Sequence, residues 1–478
     1  MSSPWSGKEE EGDDQFNEPR FLLPNIEHTE DIEKYAPGGF HPVHLGDTLD
    51  NRRYRVTHKL GAGGFATIWL ARDETEGMWV ALKIIVAEHS ASVADNSSLN
   101  LQAVSCLSNQ LAVTTEIRRF TFEGPNGHHL CLVLPVLGPS MSQVSSGFTS
   151  RLKPWLARRV SHQATKAVAT MHAQGLCHGD ITTANILFTL NIDHHAEDWI
   201  HRLFEPPMTD VLETESGEPT GPEAPDYIVK ALDFLSSTSN ILTNDATLID
   251  LDQSFPVSSP PKKMLGIPIE FLAPEVAVGL PASPASDVWA LGCCIFRLRS
   301  GEGPFSNYYE VTSPADLMKI VHQTIGNMPV EWQDTLWDYD GQPTKDPKKG
   351  KPLSKWSGER PLKDLVRSIW DQPEGDIVQT GTTRPERVVY NQEENKPYPS
   401  CFSNMVWKPT AIKVDNTYLF GYNDESDELL KAMPKIEESE ATLLYDLLSK
   451  IFVYDPTQRL TAKEMLDHPW FHLDGKPN

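Results

Sequence analysis

Apolar and polar positions change period along this chain, and the changes mark out its elements. Tyr54-Arg55-Val56 alternates as a strand does, and Val80-Ala81-Leu82-Lys83 is a second apolar run that ends on a cation. Between them, Leu60-Gly61-Ala62-Gly63-Gly64-Phe65-Ala66-Thr67-Ile68-Trp69 sets three glycines between apolar flanks, which predicts a β-hairpin with a glycine-rich tip. From Trp155 to Gln174 apolar residues fall at helical spacing, and Thr247-Leu248-Ile249 returns to strand. Strand patterns gathered early and helical ones later predict an α+β chain.

Three stretches carry no core pattern. Residues 1–34 are polar, acidic and aperiodic, which predicts a flexible or loosely packed segment. Residues 191–240 are rich in Asp, Glu, Pro and Thr; within them Ile192 to Phe204 reads as a helix and Tyr227-Ile228-Val229 as a short strand. Residues 338–435 include the basic run Lys345-Asp346-Pro347-Lys348-Lys349-Gly350-Lys351, for which a solvated loop is the simplest account. No run of about 18 apolar residues occurs, so no membrane span is expected, and the first residues have no apolar signal core.

The candidate chemistry lies in His178-Gly179-Asp180-Ile181-Thr182-Thr183-Ala184-Asn185, a loop between apolar runs with an acid and an amide five positions apart. Phosphoryl transfer needs this pair: a carboxylate that orients the attacking hydroxyl and an amide that holds a phosphate-bridging cation. Asp and Asn are also common turn formers, so the octet alone decides little. Further elements follow in the required order. The glycine-rich tip suits close approach of N–H groups to phosphates, Lys83 lies 20 residues beyond Gly63, and Asp250 ends the strand Thr247 to Ile249 as a second cation ligand. Ala273-Pro274-Glu275, Asp287-Val288-Trp289-Ala290-Leu291-Gly292 and Asp455-Pro456-Thr457-Gln458-Arg459-Leu460 come after it. Turn and helix punctuation explains any one of these, but not all of them in order.

Together these motifs resemble the protein kinases, and the flank narrows the resemblance. Glu33-Lys34-Tyr35-Ala36-Pro37-Gly38-Gly39-Phe40-His41-Pro42-Val43-His44-Leu45-Gly46-Asp47 is similar to the opening of SR-protein kinases, as are Gly61 to Leu70 and Leu132 to Gly138. The resemblance covers most of residues 35–310 and 440–473. It implies a two-lobed protein-kinase-like fold: a family-type extension at 35–53, a small β-rich N-lobe and hinge at 54–138, and a larger, mainly α C-lobe at 139–473 that carries the two insertions. It also implies ATP and Mg2+ as cofactors. Asp180 and Lys83 become catalytic; Asn185 and Asp250 become the metal ligands. The nucleotide site would be lined by Leu60, Gly61, Ala62, Gly63, Gly64, Phe65, Ala66, Ile68, Ala81, Leu134, Pro135, Leu137 and Leu187. The adenine would meet the Leu137 N–H and the Pro135 carbonyl, a role for which proline needs no N–H. Glu275 and Arg459 would form a buried ion pair.

Departures from that pattern carry information. Gly179 stands where most kinases have an Arg that grips a phosphorylated activation loop, and Gln253 to Leu265 offers Ser254, Ser258 and Ser259 but no Thr or Tyr. The expectation is an activation segment held by packing. Thr182 replaces a Lys and removes one cation from the transferring phosphate, a loss worth several kcal/mol in a dry site. Ala66 replaces the third loop glycine, and Asp252 replaces the Gly after Asp250-Leu251, adding a carboxylate near the metals or facing solvent. Asn100 aligns with the helix glutamate that should hold Lys83, and no acid lies between Asp95 and Glu116. Either Asp95 or Glu116 serves instead, or Lys83 is held by Asp250 and ATP alone.

Composition fits an intracellular enzyme. The chain has 478 residues, 39% of them hydrophobic, and six scattered cysteines without metal-ligand spacing that read as free thiols. A formal net charge of −24 argues against direct nucleic-acid binding and is compatible with a basic protein substrate. The resemblance implies a monomeric serine/threonine kinase of cytoplasm and nucleus, acting on Arg/Ser-rich proteins of mRNA processing, with activity weakened by Asn100 and Thr182. Two alternatives stand beside it. One is a pseudokinase scaffold for Arg-rich partners; the other is a small-molecule phosphotransferase, whose catalytic loop is commonly also His-Gly-Asp-x-x-x-x-Asn but which generally lacks the Glu275 and Arg459 equivalents.

Overall fold

The early strand patterns assemble into a six-stranded antiparallel sheet. Its strands are β1 (Thr48–Leu49), β2 (Tyr54–Ala62), β3 (Ala66–Asp73), β4 (Met78–Ile85), β5 (Arg118–Gly124) and β6 (Gly127–Leu134), in the order β1-β2-β3-β4-β6-β5. The computed structural model describes residues 19–26, 29–94, 113–145, 151–196, 198–234, 241–306, 311–353, 358–371 and 434–473, with the turn residue 405 and short strands at 377–378, 386–387, 406–407, 412–414 and 417–419. Asp95, Asn100, Cys106 and Cys401 lie outside the described residues.

Register decides which face each side chain takes. Lys83 lies opposite Ile68 and Leu132, and Ala81 lies opposite Leu70 and Leu134. Paired residues, and residues two apart, point to the same side of a sheet, so Ile68, Ala81, Lys83 and Leu134 share one face. The other face buries Trp69, Val80, Leu82, Ile84, Cys131 and Val133 together with Tyr54 and Val56.

The second lobe is built around the helix Pro154–Ala173, whose Leu156, Val160, Ala164, Ala167, Val168 and Met171 are buried at the spacing its pattern predicts. It packs against the helix Pro284–Ser300, which starts at a Ser283 capping box and stops at Gly301. A Cβ on Gly292 of that helix would lie 2.6 Å from Cγ2 of Ile451 in the helix Glu438–Ile451, so only glycine allows this crossing. Cys131, Cys177, Cys293 and Cys294 are buried free thiols.

Two expectations need correction. Residues 19–34 are not flexible as a whole: Phe21 and Ile32 are buried with Tyr35, Phe40, Val86, Leu212, Ala224 and Ile228. The Glu30 carboxylate, itself buried, accepts from the Tyr35 hydroxyl at 2.6 Å and pairs with the buried Lys59. These anchors are too widely spaced to give a periodic signal, which is why the sequence reads as loose. The helix read at Ile192 to Phe204 spans only Trp199–Leu203. The residues before it are drawn away, because the His194 carbonyl accepts from the Trp79 N–H (2.9 Å) and the Ala196 carbonyl from Trp79 Nε1 (2.7 Å).

The first insertion is thereby a strap from the large lobe over the small one. It leaves the antiparallel hairpin of Ile186–Leu190 with Leu242–Leu248 and forms the strands Thr209–Val211 and Tyr227–Val229, the latter where the sequence predicts it. Its Leu232 N–H donates to the Lys59 carbonyl (2.8 Å), and its Glu223 carbonyl accepts from Asn126 Nδ2 (2.7 Å). Further on, the basic run joins the strands Pro343–Thr344 and Lys351–Pro352, with Lys345, Lys348 and Lys349 exposed as a solvated loop requires.

Candidate active site

The octet His178 to Asn185 lies between the strand Leu176–Cys177 and the strand Ile186–Leu190, and three contacts shape it. Asp287 accepts from the main-chain N–H of His178 (2.7 Å) and of Gly179 (2.9 Å), and it also pairs with His172 Nε2 (2.9 Å). The Asp180 N–H donates to His178 Nδ1 at 3.2 Å, which leaves the ring proton on Nε2 for the Ile249 carbonyl at 3.0 Å. Asn185 O accepts from the Ile249 N–H at 2.9 Å. Through these bonds the catalytic loop is tied to the strand end that delivers Asp250.

Asp180 and Asn185 meet as their spacing predicts. Asn185 Nδ2 donates to both Asp180 O and Asp180 Oδ2 at 2.9 Å, which turns the amide oxygen of Asn185 outward as an acceptor. Asp180 Oδ1 is buried without a protein partner. Burial and the nearby Asp250 charge push the Asp180 carboxyl above the usual carboxylate range.

Lys83 reaches this loop from the small lobe. Its Nζ donates to Asp250 Oδ1 and to Asp252 Oδ2, both at 2.7 Å. Burial opposes charge on all three groups, yet the two carboxylates hold the ammonium above its ordinary pKa. Lys83 in turn keeps Asp250 below the carboxylate range, whereas burial and the Asp250 charge leave Asp252 above it. Glu116 does not serve Lys83, because it bonds Arg119 at 2.5 Å, and Asp95 lies outside the described residues; Asp250 holds Lys83 as the other alternative has it, but with Asp252 as a second partner, which the sequence reading left near the metals or facing solvent. Asn185 Oδ1 and Asp250 are hard oxygen donors, which fit a small divalent cation.

The remaining predicted residues lie on the glycine-rich hairpin, on the Lys83 face of the sheet and on the segments after β6. Leu60, Gly61 and Ala62 end β2, Ala66 and Ile68 open β3, and Gly63, Gly64 and Phe65 form the tip, with Phe65 61% exposed. Ala81 and Leu134 share the Lys83 face of the sheet. Beyond β6, the Gly138 N–H donates to the Phe188 carbonyl (2.8 Å), while Leu187 pairs with Thr247. Among the described residues no main-chain group bonds the Leu137 N–H or the Pro135 carbonyl. One contact had no sequence signal: Lys34 Nζ donates to the Gly64 carbonyl (2.9 Å) and lies over the Phe65 ring, tethering the tip to the end of the N-terminal segment 1–34.

Deep in the large lobe Arg459 grips Glu275 with two parallel bonds of 2.8 and 2.9 Å, and it also donates to Ala285 O (2.7 Å) and Val453 O (2.9 Å). The protein kinase domain model matches residues 54–199 and 237–471, and the gap between these spans falls within the strap. The chain belongs to the protein kinase family.

Within that family it is a divergent, SR-protein-kinase-like member. It is 32% identical over 173 residues to protein kinase dsk1 of Schizosaccharomyces pombe, a match covering 35% of this chain and 32% of that protein. It is 37% identical over 172 residues to serine/threonine-protein kinase spk-1 of Caenorhabditis elegans, covering 34% and 17%. Serine/threonine-protein kinase SRPK of Physarum polycephalum matches at 26% over 342 residues, 63% of this chain and 73% of that protein. The chain thus spans a third or less of the length of the first two relatives. A protein kinase domain implies ATP and a divalent cation in general.

The kinase's activation segment is held by main-chain pairing. Phe255-Pro256 pairs with Leu176-Cys177, the Val257 N–H donates to Gly175 O (2.8 Å), and Gln253 Oε1 accepts from the Gly266 N–H (3.0 Å). Ser254 is buried and donates to Leu251 O at 2.6 Å, whereas Ser258 and Ser259 are exposed.

Proposed function

We propose that this kinase transfers the γ-phosphate of ATP to serines of Arg/Ser-rich proteins, as a monomer of cytoplasm and nucleus that serves mRNA processing. The observation that carries catalysis is the convergence of Lys83, Asp180, Asn185 and Asp250 in one cleft, with Asp180 Oδ1 left without a protein partner. Having no protein partner to give up, that oxygen would orient a substrate hydroxyl and accept its proton once a substrate displaces its cover. Lys83 would steady the α- and β-phosphates, and the backbone of the glycine-rich tip would cover them. Mg2+ would be held by Asn185 and Asp250, and when bound it neutralises charge on the phosphates. The substrate class rests on the resemblance to SR-protein kinases and agrees with the net charge of −24, which attracts basic partners.

The test is phosphate transfer from radiolabelled ATP with Mg2+ to matched Arg-Ser and Lys-Ser peptides. The expected result is preferential labelling of the Arg-Ser peptide, abolished by Asp180→Asn. Equal labelling of both peptides removes the substrate class and leaves the kinase. No labelling favours a second reading, a pseudokinase scaffold for Arg-rich partners; the observation behind that reading is the double pairing of Lys83 with Asp250 and Asp252.

A further inference from the structure

We infer that Asp252 is the carboxylate that orients Lys83, in place of the helix glutamate with which Asn100 aligns in sequence. This rests on the kinase reading above. Lys83 Nζ lies 2.7 Å from Asp252 Oδ2 and 2.7 Å from Asp250 Oδ1, in a cleft that leaves the three side chains 13%, 22% and 29% exposed in the order Lys83, Asp252, Asp250. Of the two acids that flank the gap in sequence, Glu116 is committed to Arg119, its side chain 14% exposed, and Asp95 lies outside the described residues.

Backbone geometry explains how one turn supplies both carboxylates. Asp250 has φ of +68°, a left-handed value that reverses the chain, whereas Asp252 is absent from the positive-φ residues and carries its side chain without strain. A side chain is therefore admissible where kinases keep glycine. Division of labour follows. Asp250 would be the acid that holds a cation, which would leave Asp252 as the anion dedicated to Lys83. Asp252 stays in place to hold the ammonium toward the phosphates. Asp252 is then a positioning residue acting through Lys83.

Two measurements on the full chain test this. The first is a double-mutant cycle on thermal unfolding without nucleotide, using Lys83→Met, Asp252→Asn and their combination. Coupling predicts that the combined variant loses clearly less than the sum of the single losses, whereas additivity overturns the inference. The second is equilibrium binding of ATP with Mg2+. Asp252→Asn should weaken it about tenfold and Asp252→Glu should recover most of that. Unchanged affinity in Asp252→Asn also overturns the inference. Wild-type protein that binds no nucleotide sinks the kinase reading, and the nucleotide-free cycle still decides whether Asp252 holds Lys83.

Discussion

A Cβ added to Gly179 would lie 2.6 Å from the carbonyl oxygen of Gln253, and Gly179 has φ of +79°. The catalytic loop and the start of the activation segment touch here, backbone to backbone, so the position excludes the arginine that other kinases place there. Gly179→Ala should destabilise the protein by about 1–3 kcal/mol and lower phosphate transfer, and Gly179→Arg should do more harm, with no gain from activation-loop phosphorylation. Urea unfolding and transfer assays check this. Wild-type stability in Gly179→Ala would show that the loop relaxes freely.

Arg459 and Glu275 are both buried and doubly bonded. Arg459→Leu strands the carboxylate and should cost about 3–5 kcal/mol, while Glu275→Leu combined with Arg459→Leu should recover much of that. Urea unfolding of the three variants measures it. A double variant as unstable as the single one would mean that the bonds to Ala285 O and Val453 O matter more than the ion pair.

Glu30 neutralises the buried Lys59 from within the N-terminal segment 1–34. Deleting residues 1–34, or Glu30→Gln alone, should destabilise the small lobe by about 3–5 kcal/mol, since either leaves a buried ammonium without its anion. Thermal unfolding of both forms is the check, and a deletion with unchanged stability would restore the view of this segment as loose.

His41 packs against Phe122 and His129, its Nδ1 buried without a partner. Burial, with His129 and His44 nearby, lowers its pKa from 6.5 to about 4, and burial lowers that of His129 too. Above pH 6.5 both folded and unfolded rings are neutral. Between 6.5 and about 4 the unfolded chain takes up a proton that the folded chain refuses, so stability falls with pH, by on the order of 3 kcal/mol for His41. His41→Phe should flatten the unfolding midpoint across that window, and an unaltered slope would assign it to other groups.

Lys34 holds the Gly64 carbonyl, and in a trans peptide the Phe65 N–H then points the opposite way. Lys34→Ala should raise KM for ATP about fivefold with little change in kcat, and Lys34→Arg should restore it. A fall in kcat at constant KM would locate the effect elsewhere.

Much of this was legible because kinase motifs are short and local. Five positions from Asp180 to Asn185 suffice to bring an amide onto a carboxylate, and Thr247 to Ile249 needs only its own pattern to deliver Asp250. Phe21, Glu30 and Ile32 were missed because single anchors in a polar stretch have no period. Ile192 to Phe204 misled because its first residues give their carbonyls to Trp79 and Arg72 in the other lobe.

The sequence by itself determined the kinase fold, the order of its motifs and the identity of its acid, amide and lysine, since each follows from neighbours in the chain. Tertiary structure decided what those groups are bonded to. Lys83 meets Asp250 and Asp252 across more than 160 positions, Lys34 reaches the glycine-rich tip, and the strap returns to Lys59 and Trp79. Such pairings depend on which sheet face and which turn present each side chain, and periodicity along one segment holds no record of the segment it will meet.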